Sequence, residues 1–187
     1  MRSVLPLFAS VFAASAPALA VEHVPVTGFR SVELRGGGEV TVRRGPVQRV
    51  TILQGSSHFS RVYLERDRKL RIDACDNRCP EGYRLKVEIQ SPDAPDVAIS
   101  GGGSIRAARG FAPQSHMSAA IHGGGTIDVR SVQAANVSAA VHGGGQIFVQ
   151  PLSSLSAAVN GGGQVRYADN PQVSMAVHGG GLVSPVN

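Results

Sequence analysis

The sequence predicts an all-β fold: a parallel β-helix of stacked Gly-Gly-Gly repeats, preceded by a portion of mixed strands. Three observations lead there. A short unit recurs down the C-terminal half at near-constant spacing. Within each unit, apolar residues alternate with small or polar ones. No stretch of helical length carries an apolar period of ~3.6 residues.

Residues 1–20 stand apart from the fold. Arg2 gives a positive start, residues 4–16 are almost wholly apolar, and Ala18 and Ala20 are the small residues a signal peptidase reads. They read as a signal peptide cleaved after Ala20. The apolar run is shorter than the ~18 residues a membrane-spanning helix needs, and no later run approaches that length, so no transmembrane segment is expected. No Cys follows the cleavage point, so no lipid anchor is expected there either. Residues 21–187 have the length of a single domain, exported to the periplasm, the cell surface or the medium.

Residues 21–95 form the expected N-terminal β portion. Val32, Leu34, Val40 and Val42 alternate with charged or polar residues around Gly36, Gly37 and Gly38. Further strands are predicted at 47–53, 61–65, 70–73 and 84–89, punctuated by Gly45-Pro46, Gly55-Ser56 and Asp93-Ala94-Pro95. Antiparallel or mixed strands should close one end of the stack here, within one continuous core. The formal net charge is +5. Most Arg and Lys lie in this part, interspersed with Glu33, Glu39, Glu65, Asp67, Asp73, Asp76 and Glu81. A mixed-charge surface without basic runs or interleaved aromatics argues against nucleic acid as a partner and leaves anionic envelope polymers as the weaker alternative to a solvated surface.

Cys75 and Cys79 are the chain's two cysteines, with turn-forming residues between them. In an oxidising compartment they should form a disulfide that pins a loop. No second Cys pair or adjacent His completes a metal site there.

Residues 96–187 form the expected repeat. Met117-Ser-Ala-Ala-Ile-His122, Val137-Ser-Ala-Ala-Val-His142, Leu155-Ser-Ala-Ala-Val-Asn160 and Val173-Ser-Met-Ala-Val-His178 each run into three glycines. A looser copy, Val97-Ala-Ile-Ser100 with its own three glycines, precedes them. Each unit reads as strand, glycine corner, strand. Val137, Ala139, Val141, Ile147 and Val149 should point inward and His142 outward. One such unit cannot bury its own apolar face, but stacked units can. Aromatics make up 5% of the chain, so the interior must be thin and filled by Val, Ile, Leu and Ala.

Phe29-Arg-Ser-Val-Glu-Leu34, Leu70-Arg-Ile72, Leu85-Lys-Val-Glu-Ile89 and the repeated apolar-x-Gly-Gly-Gly-x-Ile pattern resemble the head GIN domain of autotransporter adhesins. The resemblance extends over nearly all of residues 21–187. That family has Ser-Gly-small-Gly where this chain mostly has His-Gly-Gly-Gly; Ser100 keeps the family form. The resemblance implies a β-helical, exported, envelope-associated protein and brings no catalytic residues or cofactor with it. The Cys75–Cys79 pair is not part of its pattern.

His-Gly-Gly-Gly also occurs as the oxyanion-hole motif of esterases. That chemistry needs one copy beside a Gly-x-Ser-x-Gly elbow, and this chain has three copies at repeat spacing and no such elbow. Carboxylate-based sugar cleavage has little to draw on, since beyond Asp96 at its start the repeat portion contains only Asp128 and Asp169. No enzyme is expected. The sharper candidate is the outward column of His122, His142, Asn160 and His178. His122 and His142 should lie about 5 Å apart on neighbouring rungs, close enough to share a Zn²⁺. His178 should lie roughly 10 Å beyond His142, too far to join them. The simpler reading of the column is a polar ladder.

Two functional classes follow. The first is an adhesin-like interaction module whose partner is an envelope protein, a glycan or a surface. The second is a small-ligand or metal-binding protein using the His column. Leu182, Val183, Pro185 and Val186 leave the last rung apolar, so self-association through that rung is also expected.

Overall fold

The computed structural model describes residues 21–76 and 78–186; the signal peptide expected at 1–20 lies outside the described residues. Regular structure among the described residues is all strand. The strands are β1 (Glu22–Val24), β2 (Ser31–Arg35), β3 (Glu39–Arg44), β4 (Arg49–Gln54), β5 (Arg61–Leu64), β6 (Lys69–Asp73), β7 (Lys86–Ser91) and β8 (Asp96–Gly101). They continue as β9 (Ser104–Ala107), β10 (Gln114–Gly123), β11 (Thr126–Gly143), β12 (Gln146–Asn160), β13 (Gln164–Tyr167), β14 (Gln172–His178) and β15 (Leu182–Pro185).

All fifteen belong to one mixed sheet, whose pairings fall into two columns. In the first, β6, β2, β8, β10, β11, β12 and β14 pair in parallel, in that order. In the second, β7, β3, β9, β11, β12, β13 and β15 do the same. The long strands β11 and β12 turn from one column into the other and join the two. One strand from each column, linked by one corner, makes a level of the stack.

The register places equivalent repeat residues directly over one another. Ile72, Leu34, Ile99, Ile121, Val141, Val159 and Val177 form one inward line. Val87, Val40, Ile105, Ile127, Ile147, Val165 and Val183 form the other. Every member before the last level is at most 2% exposed. Fully burying one such side chain is worth about 1.5–3 kcal/mol, so these two lines dominate the stability of the fold. Val137, Ala139, Val141, Ile147 and Val149 all lie in the core, as the alternation requires, and His142 is exposed. The last level is open: Met175 is 62% exposed and Leu182 45%.

The N-terminal part belongs to the same stack. β2 pairs residue by residue with β8, so no packing boundary falls at 95/96. The chain lays down β2 and β3, runs outward, and returns with β6 and β7 on their far side. β4 and β5 then pair antiparallel with β7 and β6, and β1 pairs antiparallel with β4, which closes that end. Between β6 and β7 the corner is a loop instead of a glycine triplet, and in it Cys75 and Cys79 are bonded, with Cα atoms 6.0 Å apart. The loop is bracketed by the Ala74 N–H donating to Arg35 O and the Glu39 N–H donating to Leu85 O, both at 2.9 Å.

The three glycines of a corner have different roles. Gly143 has φ 124°, and a Cβ there would collide with Gly123 O of the preceding level. A Cβ on Gly163 would overlap the Val141 side chain and lie 2.7 Å from Gly145 O. A Cβ on the middle residue, Gly144, meets nothing within 4 Å, and its φ lies outside the left-handed region. From the Gly101 corner onward, the structure requires glycine at the first and third positions and leaves room for a side chain at the middle one; in the first corner Gly37 also has a positive φ, 131°.

This difference gives a direct test. Gly143→Ala should destabilise the protein by about 1–3 kcal/mol, the usual scale for a strained backbone position. Gly144→Ala should be neutral, or stabilising by up to about 1 kcal/mol through the unfolded chain. Urea unfolding followed by circular dichroism reads both, and equal losses would contradict the assignment.

Candidate functional site

With the inward faces filling the core, function is left to the outward faces and the ends of the levels. Each outward position repeats once per level, about 4.8 Å from its neighbours.

On the first column, Ser118, Ala120 and His122 lie beside Ser138, Ala140 and His142, then Ser156, Ala158 and Asn160, then Ser174, Ala176 and His178. The His122 and His142 rings stack with centroids 4.8 Å apart and planes 6° from parallel. Asn160 stands between His142 and His178, so the predicted order of the column holds. Among the described residues, no three His, Cys, Asp or Glu side chains gather closely enough to hold a metal ion. The histidine pair therefore offers at most two ligands of its own.

Towards the N-terminal end the same face becomes ionic. Glu33 lies 3.5 Å from Arg71, 3.7 Å from Arg35 and 3.9 Å from Lys69, and it accepts a 2.9 Å hydrogen bond from the Ser100 hydroxyl. Arg71 also reaches Glu65 at 2.7 Å. These charges pair with one another, with Arg71 Nε left without a hydrogen-bond partner among the described residues, and the small-residue stretch between Ala98 and Ala176 is the smooth part of the face.

The esterase-like motif has its amides committed elsewhere. The Gly124 N–H donates to Gly101 O at 2.8 Å and the Gly144 N–H to Gly123 O at 2.9 Å. An oxyanion hole needs free, convergent N–H groups, and these belong to the ladder between levels.

The second column carries a row that the sequence reading missed. Thr41, Arg106, Asp128, Phe148, Arg166 and Ser184 are register partners on successive levels. Arg130 grips the Asp128 carboxylate with Nε at 2.9 Å and Nη2 at 2.7 Å, and its guanidinium lies 4.9 Å from the centre of the Phe148 ring. Hydrogen bonding from Arg130 holds the Asp128 carboxyl below the usual carboxylate range, and the Arg106 charge acts in the same direction. A signal for this row was present: each member is the third residue after its glycine triplet. Their side chains differ so much that the shared position is easily overlooked.

Residues 96–171 match the model of the family described as "Putative auto-transporter adhesin, head GIN domain". The resemblance read from the sequence is thus borne out over β8 to β13. A search of curated proteins finds no match. Among solved structures, a "putative adhesin" from Bacteroides fragilis aligns at 18% identity and TM-score 0.47, over 89% of this chain and 96% of that one. A "putative adhesin" from Parabacteroides distasonis aligns at 16% identity and TM-score 0.43, over 89% and 96%. A "putative lipid binding protein" from the same species aligns at 13% identity and TM-score 0.39, over 90% and 96%.

Proposed function

We propose that this chain, whose residues 96–171 match the head GIN family, is an exported, non-enzymatic interaction module of the cell envelope. The observation that carries the reading is the in-register repetition of outward side chains over successive levels. A repeating row on a rigid ladder suits a repeating or extended partner: a polymer, a glycan or a protein surface. The signal sequence at residues 1–20 supports export. From β8 onward the chain advances one level per circuit, which supports reading this part as a parallel β-helix flattened into two columns. The committed corner amides support a binding role over an esterase one.

The test is co-sedimentation of the purified protein with envelope fragments. The protein is expected in the pellet. Wild-type protein left wholly in the supernatant would refute the reading.

The adjacency of His122 and His142, with ring centroids 4.8 Å apart, motivates a second reading, in which the two rings turn out of their stacked arrangement to hold a divalent metal. Each imidazole would supply one nitrogen at about 2.0–2.1 Å from Zn²⁺, with water or a partner's group completing the site. Calorimetric titration should then show one Zn²⁺ per chain, lost in His122→Ala and in His142→Ala and kept in His178→Ala. An undisturbed titration in either of the first two variants would rule the site out.

A further inference from the structure

At the ends of the levels opposite the glycine corners, the returning arcs shorten along the stack. Met117 follows Ile105 by 12 positions, Val137 follows Ile127 by 10, and Leu155 follows Ile147 by 8. The pairs Ile105–Ile127–Ile147 and Met117–Val137–Leu155 are nevertheless in register. The surplus residues must therefore bulge outward, and the register between β11 and β12 shifts between Asp128 and Gln133 and again between Ala134 and Asn136. Under the longest arc lies an open groove of about 800 Å³. Its wall is fixed in place. Ser131 Oγ donates to Ala107 O at 2.6 Å, and Arg44 donates to Gly110 O at 3.2 Å.

The lining chemistry is cationic and polar. Arg106, Arg109 and Arg130 face the groove with a single carboxylate, Asp128. That carboxylate is held by Arg130 through two hydrogen bonds. Arg106 and Arg109 are exposed, and neither forms an ion pair among the described residues. Gln133 and Gln150 add amide groups to the same lining, with Gln150 Nε2 donating to Asp169 at 3.0 Å. Two free guanidinium forks match planar or tetrahedral oxyanions. The Gln133 and Gln150 amides in the same lining suit the hydroxyl groups that separate such charges along a sugar chain.

We propose that this groove is a binding site for an acidic oligosaccharide, with Arg106 and Arg109 receiving its carboxylate or sulfate groups and Gln133 and Gln150 its hydroxyls. Single-stranded nucleic acid fits less well. Such polymers need aromatic platforms for base stacking, whereas Phe111 is 9% exposed and the Phe148 ring is covered by Arg130. The proposal rests on the envelope-module reading and gives its partner a chemistry.

The experiment is calorimetry of the full chain with four probes: a galacturonic acid oligomer, a heparin-derived sulfated oligomer, a neutral malto-oligomer and a DNA oligomer. One or both acidic sugars should bind, and which one does identifies the anionic group. Binding should weaken as salt rises, and the neutral sugar should not bind. Losing one charged hydrogen-bond donor typically weakens binding by about tenfold, so Arg106→Gln with Arg109→Gln should cost at least that much. Asp128→Asn, which frees Arg130, should leave binding equal or tighter. Unchanged affinity in the double variant, equal binding of the neutral sugar, or a preference for DNA would overturn the site. If no sugar binds while the protein still sediments with envelope fragments, the groove assignment fails and the module reading stands. If it does neither, both fail.

Discussion

The constraint on which this fold depends is the close approach of one glycine corner to the next. Successive corners are near enough that the first glycine's Cα faces a carbonyl oxygen on the preceding level. At that separation the amides of Gly124 and Gly144 reach across the corners, and hydrogen bonding continues where a chain reversal would otherwise interrupt it. Buried or half-buried backbone groups left unpaired would each be unfavourable, so a stack of corners is stable only if each corner satisfies its neighbour. The strands on both sides are then held in one register, and the Ile and Val lines of the core follow from it. The low aromatic content reflects the same geometry, because two columns joined by so tight a corner leave room for Val, Ile and Leu but little for larger rings.

Once the register is fixed, each outward position forms a row running down its face. The rows here differ in character. The first column presents Ser, Ala and His on its later levels and a knot of ion pairs around Glu33 nearer the closed end. The second column mixes Arg106, Asp128, Phe148 and Arg166. The outward chemistry thus repeats over the later levels of the first column and varies from level to level along the second.

Much of this was legible from local pattern. The period-two alternation gave the inward set around Val141 and Ile147 and the outward position of His142, and the near-constant repeat spacing gave parallel pairing. The Cys75–Cys79 bond followed from composition and compartment. What escaped was non-local. Nothing in residues 69–91 announces that β6 and β7 lie outside β2 and β3, because that order depends on pairing between distant segments. The glycine triplets looked uniform, yet only three-dimensional clearance separates Gly143 from Gly144. The groove was invisible because it arises from unequal arc lengths between repeats, a property of differences between units rather than of any unit alone.

Native-state amide hydrogen exchange tests the stacked-corner account most directly. If the corners carry the ladder from level to level, the amides of Gly144, Gln146 and Gln164, which donate to Gly123, Gly125 and Gly145, should be protected nearly as strongly as those of the buried strands. Protection should fall only towards the open last level. Exchange of those three amides at the rate of an unstructured loop would mean that the corners do not hold one another, and the account would be wrong.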